Sequence, residues 1–178
     1  MAANPLRPGN VGTEERLNQG LLIGRLVAVL RRGAAQSISS TGANAGANYP
    51  NDALEWDAVE LDELGGWSGL APTRYTAVVA GWYEFSGGIS FGQATSGSRR
   101  GGRWYLNGTP AAGGGVQIIT SSTVANALAS IPMRTTPMAL DEGDFVELVA
   151  MQSSGSALAT SSTLAVVPRI SVRYVALP

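Results

Sequence analysis

The run from Tyr75 to Phe91 constrains this chain more than any other segment. Tyr75, Ala77, Val79, Tyr83, Phe85, Ile89 and Phe91 occupy odd positions, while Trp82, Glu84, Ser86, Gly88 and Ser90 occupy even ones. Alternate residues of a strand point to opposite faces, so the pattern gives strands with one face in a core and one in polar surroundings. Gly81 and the pair Gly87-Gly88 mark a bend or bulge within the run.

Strand signals recur along the rest of the chain. Leu54-Glu55-Trp56-Asp57 reads as a short strand, and acidic, Gly-rich residues follow as far as Gly69. Arg103-Trp104-Tyr105-Leu106 leads into Asn107-Gly108, a strong two-residue hairpin signal, and Val116 to Thr120 is placed to pair with it. A strand around Ile131-Pro132-Met133 carries Pro132 and Pro137 nearby, which points to an edge or a bulge. After the acidic turn Asp141-Glu142-Gly143-Asp144, the stretch Phe145 to Met151 is apolar on both faces except at Glu147. A strand of that kind lies beneath another layer or at a subunit contact. Ile170 to Leu177 closes the chain with renewed alternation.

Residues 37–51 and 153–163 are rich in Ser, Gly, Ala and Asn and read as loops. Leu21 to Arg32 fits a helix face through Leu22, Leu26, Val29 and Leu30, and equally a strand over Arg25 to Arg31; the β character of the remainder favours the strand. Residues 1–20 read as an extended arm, with Thr13 placed to cap a helical turn ahead of Glu14 and Glu15. The expectation is one all-β domain over 21–178, with eight to ten short strands in a sandwich, jelly roll or barrel.

Composition narrows the function classes. Charged residues make up 14%, below the usual quarter, so repulsion between copies is weak and close packing is permitted. A net charge of −1 argues against an electrostatic grip on nucleic acid or anionic lipid. All 12 basic residues are Arg. With no Cys there is no disulfide, thiol nucleophile or Cys-based metal site, and with no His the commonest general base and zinc ligand are missing. Met1-Ala2-Ala3-Asn4-Pro5 lacks the pattern of a signal peptide, and Leu21 to Leu30 is interrupted by Arg25 and too short to span a bilayer. A soluble protein without a membrane partner is expected.

Three motifs occur in an order that resembles the trimeric jelly-roll superfamily of tumour-necrosis-factor and complement globular-head domains. They are Gly81-Trp82-Tyr83-Glu84-Phe85-Ser86-Gly87-Gly88-Ile89-Ser90-Phe91, then Leu106-Asn107-Gly108, then Leu140-Asp141-Glu142-Gly143-Asp144-Phe145-Val146-Glu147-Leu148, with Ile170 to Leu177 as the final strand. Leu106-Asn107-Gly108-Thr109 and Gln152-Ser153-Ser154-Gly155 look most like versions carried by tailed bacteriophages. The resemblance implies an antiparallel jelly roll that forms a homotrimer, with aromatic inner strands around a three-fold axis. It also implies a virion component assembled in the bacterial cytoplasm. One form is a capsid decoration or minor capsid protein bound to the major capsid protein or other virion proteins, with residues 1–20 as the connection. The other is a tail or fibre-tip module that recognises host glycans through aromatics such as Trp67 or Trp104. Tyr83, Phe85, Phe91, Phe145, Val149 and Tyr174 are the candidate core or trimer-interface residues. Arg99, Arg100 and Arg103 are candidates for pairing with carboxylates of a neighbouring subunit.

No constellation for catalysis stands out, and no cofactor is implied. Asp141, Glu142 and Asp144 offer oxygens for Ca²⁺ but lack the spacing of a calcium loop, which leaves a solvated turn. Glu55 with Asp57, or Asp62 with Glu63, are carboxylate pairs in sequence only, and glycoside cleavage needs them across a cleft. Ser86 has no His or Lys to activate it. Asn107-Gly108-Thr109 matches a glycosylation sequon, but the hairpin turn already explains it.

Overall fold

The computed structural model describes residues 20–42, 44, 46–93, 97, 99–113, 117–120 and 129–178, with the backbone alone at 117–120 and 129. The expected arm, apart from Gly20, lies outside the described residues. Residues 20–22 form a helical turn, and the ambiguous apolar segment is a strand, β1 (Leu26–Arg31). Then come β2 (Ser37–Ile38), β3 (Ala58–Asp62), β4 (Arg74–Thr76), β5 (Gly81–Phe91), β6 (Arg99–Leu106) and β7 (Thr109–Pro110). The chain continues with β8 (Gln117–Thr120), β9 (Ala129–Leu140), β10 (Phe145–Gln152), β11 (Leu158–Ala159) and β12 (Arg169–Ala176).

Two antiparallel sheets face each other. Sheet 1 has the order β3-β1-β12-β5-β9, and sheet 2 runs β4-β10-β6-β7 with β8 also on β6. The short β2 and β11 pair with each other. Consecutive strands β3, β4, β5 and β6 change sheet at every step, as do β8, β9 and β10. The last strand, β12, ends in the middle of sheet 1 between β1 and β5. This winding brings residues far apart in sequence together, so burial rather than local pairing holds the fold.

The alternating run from Tyr75 to Phe91 is shared between the two sheets. Tyr75 sits in β4 of sheet 2, and 77–80 cross to sheet 1, where β5 begins at Gly81. Tyr83, Phe85, Ile89 and Phe91 face the core, fully buried, as do Tyr75, Tyr174, Trp56 and Trp104. Tyr83 meets Tyr174 edge-on at 5.1 Å between ring centres, and Phe85 lies 5.8 Å from Trp104. Such aromatic pairs add about 1 kcal/mol each beyond area burial. The Tyr83 and Tyr174 hydroxyls donate to the carbonyls of Val79 and Ala80, and Trp104 Nε1 donates to the Arg134 carbonyl. The polar tips are thereby satisfied inside an apolar layer.

Local chemistry explains the boundaries. Asn107 and Gly108 both take positive φ (49° and 77°), as the tight β6–β7 turn requires. Asn107 also accepts from the Phe145 N–H and donates to Asp144, stitching this turn to the start of β10. Strand β9 is an edge strand and its register shifts opposite Phe85/Gly87, so the two prolines mark both an edge and an irregularity. The expected strand at Leu54–Asp57 is displaced: these residues are irregular and the strand begins at Ala58. Leu54 and Trp56 instead drop their side chains into the core as the chain crosses from one sheet to the other.

Candidate assembly surface

The two sheets bury their inner faces against each other, so the outer faces decide what the domain meets. On sheet 2, the central strand β10 places Val146, Leu148 and Ala150 inward and Glu147, Val149 and Met151 outward, yet all of these are buried. The cover is a strap of the chain's own residues, 39–42, 44 and 46–54, whose two ends bond along the edge of β10. Leu54 N donates to Leu148 O, Ala150 N to Asp52 O, and Thr41 N to Gln152 O. Tyr49 stacks on Tyr105 at 5.0 Å, and Ala53 packs with Val149 and Tyr105 in a small second core. A Cβ on Gly46, which has φ +92°, would run into the Tyr105 hydroxyl, so the strap needs glycine there.

Glu147 fastens this strap. Its side chain is 1% exposed and accepts from the Tyr49 hydroxyl at 2.6 Å and the Thr73 hydroxyl at 2.6 Å. Arg74 stands 3.8 Å away, with its guanidinium 4.0 Å above the Phe145 ring. Burying a carboxylate is costly unless it is paired and hydrogen-bonded, which these partners provide. Burial, reinforced by the hydrogen bond to Glu147, pushes the Tyr49 hydroxyl up to about 12. The two-sided apolarity of β10 therefore comes from the chain's own strap and not from a subunit contact.

Sheet 1 has no such cover among the described residues. Its outward side chains include Trp82, Glu84 and Ser86 on β5 and Arg169, Ser171 and Arg173 on β12. Ser86 pairs across to Ser171, which pairs to Val29, and Gly88 pairs to Arg169 and Pro132. The middle of the face is thus made of small residues. A shallow groove of about 260 Å³ runs over Gly87, Gly88, Ser90, Ser130, Arg169 and Ser171. Ion pairs tie down side chains on the β1–β3 side: Glu60 bridges Arg169 at 2.6 Å and Arg31 at 3.3 Å. Five strands about 4.8 Å apart and about eight residues long give a face on the order of 600 Å², near the roughly 800 Å² per partner of a standard protein interface.

Several sequence-level candidates take other positions. Tyr83, Phe85, Phe91, Val149 and Tyr174 are 0% exposed within one chain, and Phe145 is half-buried under Arg74. Tyr83, Phe85, Phe91 and Tyr174 belong to the core between the sheets, the first of the two positions expected for them, and Val149 to the small second core under the strap. Arg100 is also buried, donates to the Arg99 carbonyl, and has its pKa lowered by burial, whereas Arg99 is exposed and Arg103 half-buried on the strapped face. Trp104 is in the core, which takes its ring out of reach of a sugar, and Trp67 is half-buried with Nε1 donating to Pro72 O. Trp82, at 42%, is the exposed tryptophan among the described residues.

The carboxylate pairs are structural. Glu55 and Asp57 both lie 3.6 Å from Arg32, and Asp57 accepts the Gly33 and Ala34 N–H groups. Burial raises the Asp57 pKa, but those hydrogen bonds and Arg32 outweigh it and hold the group below its ordinary value. Asp62 accepts from Gly66 and Trp67 N–H, Glu63 pairs with Arg25, and Asp144 is occupied by Asn107 and Asp141 N–H. Among the described residues no group of three or more acidic side chains could hold a metal ion. Sequence reasoning missed the Tyr49–Thr73–Arg74–Glu147 cluster. Its one signal was a lone Glu in an otherwise apolar strand.

No family model matches the sequence, and no curated protein matches it either. Solved structures do. The globular domain of zebrafish complement 1qA protein superposes with a TM-score of 0.57 at 11% identity, covering 86% of this chain and 100% of that one. The fold is a tumour-necrosis-factor-like jelly roll. Murine APRIL is also similar, with a TM-score of 0.51 at 14% identity, covering 82% of this chain and 98% of that one. At such identities the likeness concerns the jelly roll alone, and function has to come from the surface.

Proposed function

We propose that this jelly roll is a non-enzymatic structural protein that self-assembles as a homotrimer through the bare outer face of sheet 1. The observation that carries the reading is the contrast between the outer faces: one is roofed by the strap, while the other is uncovered among the described residues, small-residued and internally ion-paired. Small side chains and paired charges let two backbones approach with little desolvation cost. Closed cyclic assembly is the common outcome for a single chain type.

The same proposal extends to setting. The phage-like turn Leu106-Asn107-Gly108-Thr109 and the stretch Gln152-Ser153-Ser154-Gly155 support a bacteriophage virion protein. In this reading it is a capsid decoration or minor capsid protein, joined to the major capsid protein through residues 1–20. Cryo-electron microscopy of the particles tests it. Trimeric density at capsid three-fold positions supports the reading, and absence of the chain from the capsid overturns it.

A further inference from the structure

On the β1–β3 side of sheet 1 the carboxylates find their partners within the chain. Glu60 serves both Arg31 and Arg169, and Glu63, just beyond β3, serves Arg25. The β5 side differs. Glu84 is half-buried on the outer face of β5 and has no hydrogen bond or ion pair among the described residues. Its cross-strand neighbour is Arg173 on β12. Opposed residues of an antiparallel pair share a face, with Cα atoms about 5 Å apart. That places a cation within reach of the carboxylate, yet the contact is not made. Arg173 leans the other way, toward β1, and donates from Nη1 to the Gly24 carbonyl. A guanidinium carries five N–H donors. Arg173 is exposed and makes no other bond among the described residues, so most of its fork stays open.

A carboxylate half-buried without a partner is costly, and a cation from a second copy relieves it. Symmetry says which cation. Rotation about a three-fold axis leaves height along the axis unchanged, so side chains meet across a closed ring only at nearly equal heights. Glu84 and Arg173 lie about 5 Å apart, so their heights differ by no more than that for any axis direction in the plane of the face. The two side chains together span such a gap. Arg134, the other sheet 1 arginine without an ion pair, sits in the β9 irregularity between the partners of Phe85 and Gly87. That is about 7 Å along the strands from the Glu84 row. Trp82, two residues before Glu84 on the same face and 42% exposed, sets an apolar anchor beside the pair. Tryptophan and arginine are the side chains that dominate interface energies.

We infer that Glu84 of each copy pairs with Arg173 of the next, closing a ring of three ion pairs around the three-fold axis with Trp82 packed beside it. The inference rests on the proposed trimer and adds the side chains by which one copy recognises its neighbour and sets its register.

Two measurements on the full-length chain test it. In sedimentation velocity the wild type is expected to be a trimer, and Glu84→Arg to dissociate at least tenfold more readily, with an unchanged circular dichroism spectrum. The chain has no cysteine, so introduced thiols report contact without background. Glu84→Cys and Arg173→Cys chains, refolded together in equal amounts and mildly oxidised, are expected to form a disulfide joining the two different chains, identified by mass spectrometry. Asp141→Cys in place of Glu84→Cys is expected to give no such link to Arg173→Cys. The cysteine variants carry the test should Glu84→Arg misfold. A wild-type trimer in which folded Glu84→Arg stays trimeric, or in which the mixed chains do not cross-link, overturns the ion pair and leaves the trimer standing. A monomeric wild type at every concentration overturns the trimer, and the pair with it.

Discussion

The outer faces of sheet 1 and sheet 2 are both made by antiparallel strands, yet they end in opposite conditions. Sheet 2 carries Glu147, Val149, Met151 and Tyr105 outward and cannot leave them in water, so the strap folds over them. Sheet 1 presents Ser86, Gly88 and Ser171, which ask for no cover from their own chain. The difference teaches that a two-sided apolar strand need not mark an interface. A chain with enough loop seals such a strand itself, and the face it leaves open is the one available to other molecules.

The largest expected effect comes from removing the strap's fastener. Glu147→Ala leaves the Tyr49 and Thr73 hydroxyls without their acceptor and Arg74 without its partner. Urea unfolding should show a loss of about 3 kcal/mol. Next is Gly46→Ala, which combines positive φ with the clash against Tyr105. A loss of about 2 kcal/mol is expected, with faster hydrogen exchange in the strap. Tyr49→Phe removes one hydrogen bond and should cost about 1 kcal/mol by the same unfolding assay. On the bare face, Ser171→Arg should change monomer stability by less than about 0.5 kcal/mol, yet abolish the trimer in sedimentation velocity. If Ser171→Arg instead unfolds the chain, or leaves the trimer intact, the contrast between the faces is broken.

High pH probes the sealed interior. Burial pushes the hydroxyls of Tyr49 and Tyr83 from 10.0 up to about 12, and burial moves Tyr75 and Tyr174 in the same direction. An unfolded chain ionises its tyrosines near 10, while in the folded chain Tyr49 and Tyr83 keep their protons until about 12. Unfolding above pH 10 therefore releases protons, and stability falls as pH rises through that window. Melting temperatures from circular dichroism should be flat below pH 10 and decline toward pH 12, less steeply in Tyr49→Phe.

Much of the fold was legible in the sequence because strand alternation is a local signal. The run through Tyr83 and Phe85, the Asn107-Gly108 turn and the edge prolines of β9 each read correctly at their own positions. What a strand meets on its second face is not local. Nothing near Phe145–Gln152 announces that Tyr49, almost a hundred residues earlier, closes over it. The same holds for Trp104, whose burial depends on Phe85 and Arg134 arriving from other strands. Leu54–Asp57 misread as a strand for a related reason. Its alternation is real, but it serves a crossing between sheets and has no ladder partner of its own.

The mass of the full chain in solution tests the central claim most directly. Sedimentation equilibrium should give three times 18.3 kDa, about 55 kDa, if the bare face of sheet 1 joins copies into a closed trimer. A single species at 18.3 kDa across the concentration range would contradict the account, because that face would then be open with nothing of its own kind to meet.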